Sequence, residues 1–380
     1  MKQTDKTFSR VVKRAGAIVI ALILVCSCFA GCGESNDKYM VGATGPLTGE
    51  ASSYGISANQ GAMLAFKEIN EAGGLNGKEF NFVMKDDKAA PADAATAYDQ
   101  LFDEGMQISL GSVTSGSCEA FAARAKEDNL FFITPSASAA SVIAVGNNSF
   151  RVCFGDPDQG ILAAEELTSE YKNIGCIYDT SDTYSTGIWE AFDAKMKELN
   201  VDYTIRTFDA DSKKDFSAQV EALKDCDVIF LPIYYTEAGL IARACVAKEL
   251  KDLPLFGCDG LDGVAGQIDE TVTNSIRYIT PFDVNSTDAK TKAFVEAYKA
   301  EYNVEPDQFA ADGYDAAYVI FEAMKVAGID DTSISASDLC DKIVATITSA
   351  DFSFAGVTGN MTWDASGACT KTPVIIDLNK

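Results

Sequence analysis

From Tyr39 onward, short apolar runs alternate with stretches whose apolar residues recur at helical spacing, and midway through the chain this alternation starts again. Runs at 39–43, 80–85, 106–110 and 130–133 read as strands, with helices at 57–72, 92–104 and 119–128. After Phe150-Arg151-Val152-Cys153-Phe154 the rhythm restarts. Strands are expected at 174–178, 203–208, 228–233 and 255–257, and helices at 161–171, 188–199, 216–223 and 238–248. Near-continuous apolar strands separated by amphipathic helices argue for parallel sheets covered on both faces. Two successive series predict an α/β chain of two similar, doubly wound lobes. Beyond Ser275 the texture changes to longer helices at 289–302, 314–326 and 336–346. A hairpin-like segment at 359–367 and an apolar strand at 374–378 close the chain.

Residues 10–32 say where such lobes work. Arg10, Lys13 and Arg14 lead into an apolar run over 15–30, which closes on Phe29-Ala30-Gly31-Cys32. A basic segment, an apolar segment and a small-residue processing site form a secretory signal. The run is short for a membrane span of ~20 residues. Small residues directly before Cys32 resemble the bacterial lipobox, in which that cysteine becomes the lipidated N-terminus; Phe29 stands where leucine is usual. This reading makes 1–31 a lipoprotein signal peptide and 32–38 a short tether. It places the rest outside the cytoplasmic membrane, held there by a lipid on Cys32. An uncleaved anchor helix is the alternative.

Composition removes several function classes. The formal charge is -25, and the signal carries five Lys/Arg and one Asp, so the chain without it is four units more negative. Such a surface repels nucleic acid and anionic headgroups, so neither is an expected partner. There is no histidine, which removes Ser-His-Asp and Cys-His catalysis and His-ligated zinc. Of the eleven cysteines, those beyond Cys32 show no CxxC pair or metal-ligand spacing. No metal or cofactor is implied. Cys176 and Cys226 sit in or beside strand-like runs, where a thiol behaves as a small hydrophobe.

In open α/β sheets, ligands bind beyond the carboxyl ends of the strands. Two such ends are rich in hydroxyls: Gly111-Ser112-Val113-Thr114-Ser115-Gly116-Ser117 and Thr134-Pro135-Ser136-Ala137-Ser138. Hydroxyls and free amides at helix N-termini attract an anion. Neither loop carries a phosphate-binding glycine motif or a nearby Lys or Arg, so a singly charged carboxylate fits better than a phosphate. Ser115 and Ser138 are the leading donors, against a plain N-cap role. The second series offers the opposite chemistry. Asp259, in Gly257-Cys258-Asp259-Gly260, ends a strand where it can pair with an ammonium group, against a simple Asx turn. Tyr184 and Tyr234 can wall a pocket and donate hydroxyls, with Tyr54 and Phe309 as further candidates. Carboxylate donors in one lobe and an ammonium partner in the other describe an α-amino acid clamp.

At these residues the chain resembles the type I periplasmic solute-binding proteins, in particular the leucine/isoleucine/valine-binding family of ABC importers. The markers run from Gly45-Pro46-Leu47-Thr48-Gly49 and Ala72-Gly73-Gly74-Leu75-Asn76-Gly77 through Asp86-Asp87 and 133–138. They continue with Asp158-Gln159-Gly160, Lys214-Asp215-Phe216 and Gly313-Tyr314-Asp315-Ala316. The resemblance implies two Rossmann-like lobes joined by three crossovers: 39–154 with 283–371, and 155–282 with 372–380. The hinges are then expected near Phe154-Gly155, Pro281-Phe282 and Lys371-Thr372-Pro373. It also implies that Ser115 and the Ser136/Ser138 pair hold the α-carboxylate and Asp259 the α-ammonium, with Tyr54, Tyr184, Tyr234 and Phe309 around the side chain. Two departures stand out. Relatives often carry Glu at the ammonium position, and Thr114 occupies a place where some carry a cysteine that pairs. The implied partners are a small-molecule amino acid, the ABC permease and, through the lipid anchor, the membrane. A ligand-sensing receptor subunit and a binder of other small amides or organic acids are the rival readings. An enzyme is not expected, because no base or lysine stands within either serine motif to activate a nucleophile.

Overall fold

The structure is a computed structural model that describes residues 37–378. The expectations for the signal, 1–31, and for lipidation at Cys32 lie outside the described residues. Strands β1 (Lys38–Gly45), β2 (Glu79–Asp86), β3 (Ile108–Ser109), β4 (Phe132–Thr134) and β5 (Ser149–Arg151) form one parallel sheet, ordered β2-β1-β3-β4-β5. The second series comprises β6 (Ile174–Asp179), β7 (Thr204–Phe208), β8 (Val228–Leu231), β9 (Leu255–Gly257) and β10 (Ile276–Thr280). β11 (Phe354–Gly356) and β12 (Gly359–Met361) pair as a hairpin, and β13 (Val374–Asp377) returns to the second sheet. The second sheet is ordered β13-β10-β9-β8-β6-β7. β6 and β8 are buried along their whole length, as strands covered on both faces must be. This is the expected α/β architecture of two lobes.

Two features of the second sheet were not foreseen. β10 lies in a region read as helical, and β13 runs antiparallel to it, so the sheet is mixed. Arg277 interrupts the apolar run of β10, which hides the strand from a hydropathy reading. In the structure its charge is met by Glu166 and Glu170, and its guanidinium also lies over the Phe256 ring.

Sequence order and sheet membership part company three times: between β5 and β6, between β10 and helix Ala289–Tyr302, and between β12 and β13. As a result the core of the first sheet is built from both ends of the chain. Tyr39, Val41, Ile108, Phe131 and Phe150 pack with Val319, Ile320 and Met324 of helix Gln308–Val326 and with Trp363. Each large apolar side chain so buried contributes about 1.5–3 kcal/mol. Helix Gln308–Val326 lies unusually close to helix Ser52–Glu71. A Cβ on Gly61 would meet the Ala310 carbonyl oxygen at 1.9 Å, and one on Gly313 would meet that of Ala58 at 2.3 Å. Only glycine permits that approach.

The crossing strands are held by buried charge. Lys371, before β13, donates to the Val152 carbonyl at 2.6 Å and to Asp312 Oδ1 at 2.8 Å, with both ionic side chains essentially inaccessible to water. The Trp363 indole donates to the Arg151 carbonyl at 2.8 Å. A buried pair of this kind is costly to break from one side, because the remaining charge is left unpaired.

Candidate ligand-binding site

Between the carboxyl ends of the two sheets lies a small cavity of about 20 Å³. Tyr54, Ser115, Ser136, Tyr184, Tyr234, Asp259 and Phe309 all line it, together with Val113, Thr114 and Gly260. Residues spread over most of the chain therefore converge on one point. Room for about one water is far less than an amino acid needs, so a ligand enters only if the walls part. A larger hollow, about 570 Å³, opens on the outer side of the first lobe beside Phe352 and Phe354. Its tyrosines Tyr314 and Tyr318 both already donate to Glu68, at 2.7 and 2.9 Å, and none of the candidate residues at the strand ends lines it.

The wall from the first sheet is neutral. After β3 the chain turns through Gly111 at φ +65, where a Cβ would also strike Phe132, and enters helix Ser115–Glu127. Thr114 is the N-cap residue but supplies no side-chain cap, and its buried hydroxyl has no hydrogen-bond partner. The first-turn N–H groups thus keep the partial positive charge of a helix start. The two hydroxyl loops brace one another. Ser136 donates to the Val113 carbonyl at 2.8 Å, and Ser115 Oγ accepts from Ala139 N–H at 3.2 Å.

Ser138 is placed differently from the expectation. It is fully buried and does not line the cavity; its carbonyl accepts from Arg151 at 2.6 Å and from Asp156 N–H at 3.0 Å. Those two bonds tie its backbone to the first crossing.

The wall from the second sheet carries the charge. Asp259 follows β9 and is 3% exposed. Its Oδ1 accepts from the Tyr184 hydroxyl at 2.7 Å, and that hydroxyl accepts from Gly260 N–H at 2.8 Å. Asp259 N–H donates to Gln159 Oε1 at 3.0 Å, and Gln308 Nε2 donates to the Asp259 carbonyl at 3.3 Å. No lysine or arginine among the described residues pairs with this carboxyl. Burial pushes its pKa up to about 6, with the Tyr184 and Gln159 hydrogen bonds opposing the rise. A carboxyl so placed gains most from a cation delivered by a ligand. Tyr184 and Tyr234 stack at 5.1 Å beside it.

The two walls touch directly. Tyr54 donates to the Gly260 carbonyl at 2.5 Å and accepts from Tyr235 N–H at 3.1 Å, while its ring lies 4.2 Å from Phe309. Tyr235 donates to the Glu50 carbonyl at 2.7 Å. This is a closed cleft. Tyr235, Gln159 and Gln308 were missed as site residues. Gln159 lies in the motif Asp158-Gln159-Gly160, which carries no chemical role of its own, and Tyr235 directly follows the candidate Tyr234.

Two α/β lobes that meet over an interior site, with donors on one side and a carboxyl on the other, define a solute-binding protein of the two-lobe class. The chain belongs to the periplasmic binding protein family, whose model matches residues 38–374. It is a type I member, of the kind represented by the leucine/isoleucine/valine-binding proteins, which bind substrates for transporters and are not enzymes. A leucine-, isoleucine-, valine-, threonine-, and alanine-binding protein of Pseudomonas aeruginosa is 27% identical over 310 residues, covering 79% of this chain and 81% of that protein. The branched-chain amino acid transporter substrate binding protein LivJ of Streptococcus pneumoniae, solved with isoleucine, is 30% identical. It superposes with a TM-score of 0.80, covering 89% of this chain and 95% of its own. A solute-binding protein from R. palustris in complex with benzoate shares the fold at 21% identity and a TM-score of 0.78, covering 90% of this chain and 95% of that chain.

Proposed function

We propose that this protein captures an amino acid, of the branched-chain type, between its two lobes and delivers it to an ABC permease, anchored to the cell membrane by a lipid on Cys32. One lobe comprises 39–154 and 283–371, the other 155–282 and 372–380. Ser115, Ser136 and the open N-terminus of helix Ser115–Glu127 receive the α-carboxylate. Asp259 receives the α-ammonium, and Tyr54, Tyr184, Tyr234 and Phe309 surround the side chain.

The observation that carries this reading is the pairing of a neutral donor wall with a buried carboxyl that has no cation of its own. A zwitterion completes both walls at once. A ligand bound to the open form contacts only one wall; closure supplies the second and expels water, so ligand shifts the population toward the closed form. The aromatic lining favours an apolar side chain, and a methylene there is worth ~0.8 kcal/mol, enough to rank leucine, isoleucine and valine against one another. The binding specificities of the Pseudomonas and Streptococcus relatives point the same way.

The test is calorimetry of the purified protein against the common amino acids and benzoate. Tightest binding to leucine, isoleucine or valine is expected. Preference for benzoate over every amino acid would sink the reading, since benzoate brings no ammonium to Asp259.

A further inference from the structure

A second pair of carboxyls meets across the cleft, outside the ligand cavity. Asp307 is the N-cap of helix Gln308–Val326, whose partners lie in the first lobe. Its Oδ1 accepts from Ala310 N–H at 2.9 Å and its Oδ2 from the Ser57 hydroxyl at 2.6 Å. Asp262 lies in the second lobe, on the loop after β9. It reaches over to the same helix end, where its Oδ2 accepts from Gln308 N–H at 2.9 Å. Two carboxylates from different lobes thus cap adjacent positions of one helix N-terminus.

A helix start welcomes one negative charge. Two carboxylates side by side repel, and a pair of this kind ionises in two steps that belong to the pair. The surroundings offer hydrogen bonds but no cation. Tyr278 of β10 donates to Asp262 Oδ1 at 3.4 Å, and Tyr298, Tyr235 and Asp259 face the pair from the neighbouring elements. All are neutral or acidic, and no lysine or arginine among the described residues pairs with either carboxyl. Loss of water and the like charge of Asp262 push Asp307 up to about 7, and burial raises Asp262 as well.

We propose that Asp262 and Asp307 form a proton-sharing latch between the lobes, so that closure on a ligand takes up a proton. Asp262 is then a positioning residue: it touches no ligand and acts through the end of the helix that carries Phe309. This rests on the closing-clamp reading above, and that reading sets the sign. With the lobes apart, each carboxyl is solvated and ionises near the usual ~4. With the lobes together the pair holds its proton to higher pH. Closure is therefore fully favoured below the open-state value, and that advantage is lost as pH rises through the closed-state value near 7. The limiting slope is about tenfold in affinity per pH unit. Asp259 acts in the opposite sense, since it must be ionised to hold an ammonium.

The test is calorimetry of isoleucine binding between pH 6 and pH 8, in buffers of different ionisation enthalpy. The expected result is about five- to tenfold weaker binding at pH 8 than at pH 6, with net proton uptake near pH 6. Asp262→Asn keeps an oxygen for Gln308 N–H but removes one charge. It should lessen both the pH dependence and the uptake, since burial alone still raises Asp307, and bind at pH 8 at least as tightly as wild type. If Asp262 were only a helix cap, the variant would bind more weakly and keep the slope, and that result overturns the latch. If no amino acid binds at any pH, the amino-acid reading fails while the latch remains testable. Scattering from the unliganded protein should then show a radius of gyration that grows more from pH 6 to pH 8 in wild type than in Asp262→Asn. A wild-type radius independent of pH would refute the latch whatever the ligand.

Discussion

On one side of the cleft, Thr114, Ser115, Ser136 and a helix start present several neutral polar groups. On the other side stands a single carboxyl, Asp259, steadied by Tyr184, Gln159 and Gln308. In the proposed binding mode the contrast reflects what each wall must do. A carboxylate can be shared among backbone and hydroxyl donors, none of which costs much to bury once the loops brace each other. An ammonium needs an anion, and burying that anion is expensive until the ligand arrives. The first wall should therefore tolerate single changes, and the second should not.

The sharpest way to break this contrast is Asp259→Asn. Binding is expected to weaken by about 2–4 kcal/mol, because the ligand ammonium loses its charge-assisted partner and keeps its desolvation cost. In the closed cleft the carboxyl is raised to about 6, so at neutral pH its removal also relieves a penalty on closure without ligand. Binding within threefold of wild type would take Asp259 out of the site. Tyr184→Phe comes next, with an expected loss of about 1.5–3 kcal/mol, since it deletes the hydrogen bond to Asp259. An unchanged calorimetric affinity would mean that Tyr184 serves only as packing.

A pH series in the Asp262→Asn background, where the latch contributes less, reads the charged wall. Affinity should fall as pH drops below about 6, by at most about tenfold per unit, as Asp259 takes a proton. A flat profile from pH 7 to pH 5 would contradict the assignment of the ammonium site. Ser115→Ala tests the neutral wall and should cost only about 0.5–1.5 kcal/mol, the worth of one ordinary hydrogen bond. A loss as large as that of Asp259→Asn would erase the contrast. The smallest effect is expected from Ser138→Ala, since this buried residue does not line the cavity; a change in affinity beyond threefold would return Ser138 to the site.

The same contrast between cleft and periphery governs how much of the structure the sequence made legible. Away from the cleft, helix starts were read closely: helices expected at 92, 289 and 336 begin at Pro91, Ala289 and Ala336. At the cleft they were read late. Helices expected at 57, 119, 161, 188, 238 and 314 begin at Ser52, Ser115, Asp156, Thr183, Tyr235 and Gln308. The missing first turns hold Tyr54, Ser115, Tyr184, Tyr235 and Phe309. Their side chains face the cleft or the opposite lobe, so they break the apolar periodicity that marks a helix against a core. The cavity-lining candidates are legible by their chemistry at strand ends, and their neighbours leave no pattern to read. Tyr235 and Gln308 act by bridging lobes, and a contact between distant segments leaves no local mark. The strand β10 was hidden by Arg277, whose carboxylate partners lie far off in sequence.

Because the first sheet is completed by helix Gln308–Val326, neither lobe is a continuous piece of chain. A chain released from a ribosome or a membrane pore beginning with Tyr39 must wait for Ile320 before its first hydrophobic core can close. Contacts between such remote residues are late and slow to form. Until then the strands of the first sheet stay uncovered on the face that helix Gln308–Val326 fills. The crossings that join the two lobes thus also set the moment at which the first of them can become a folded body.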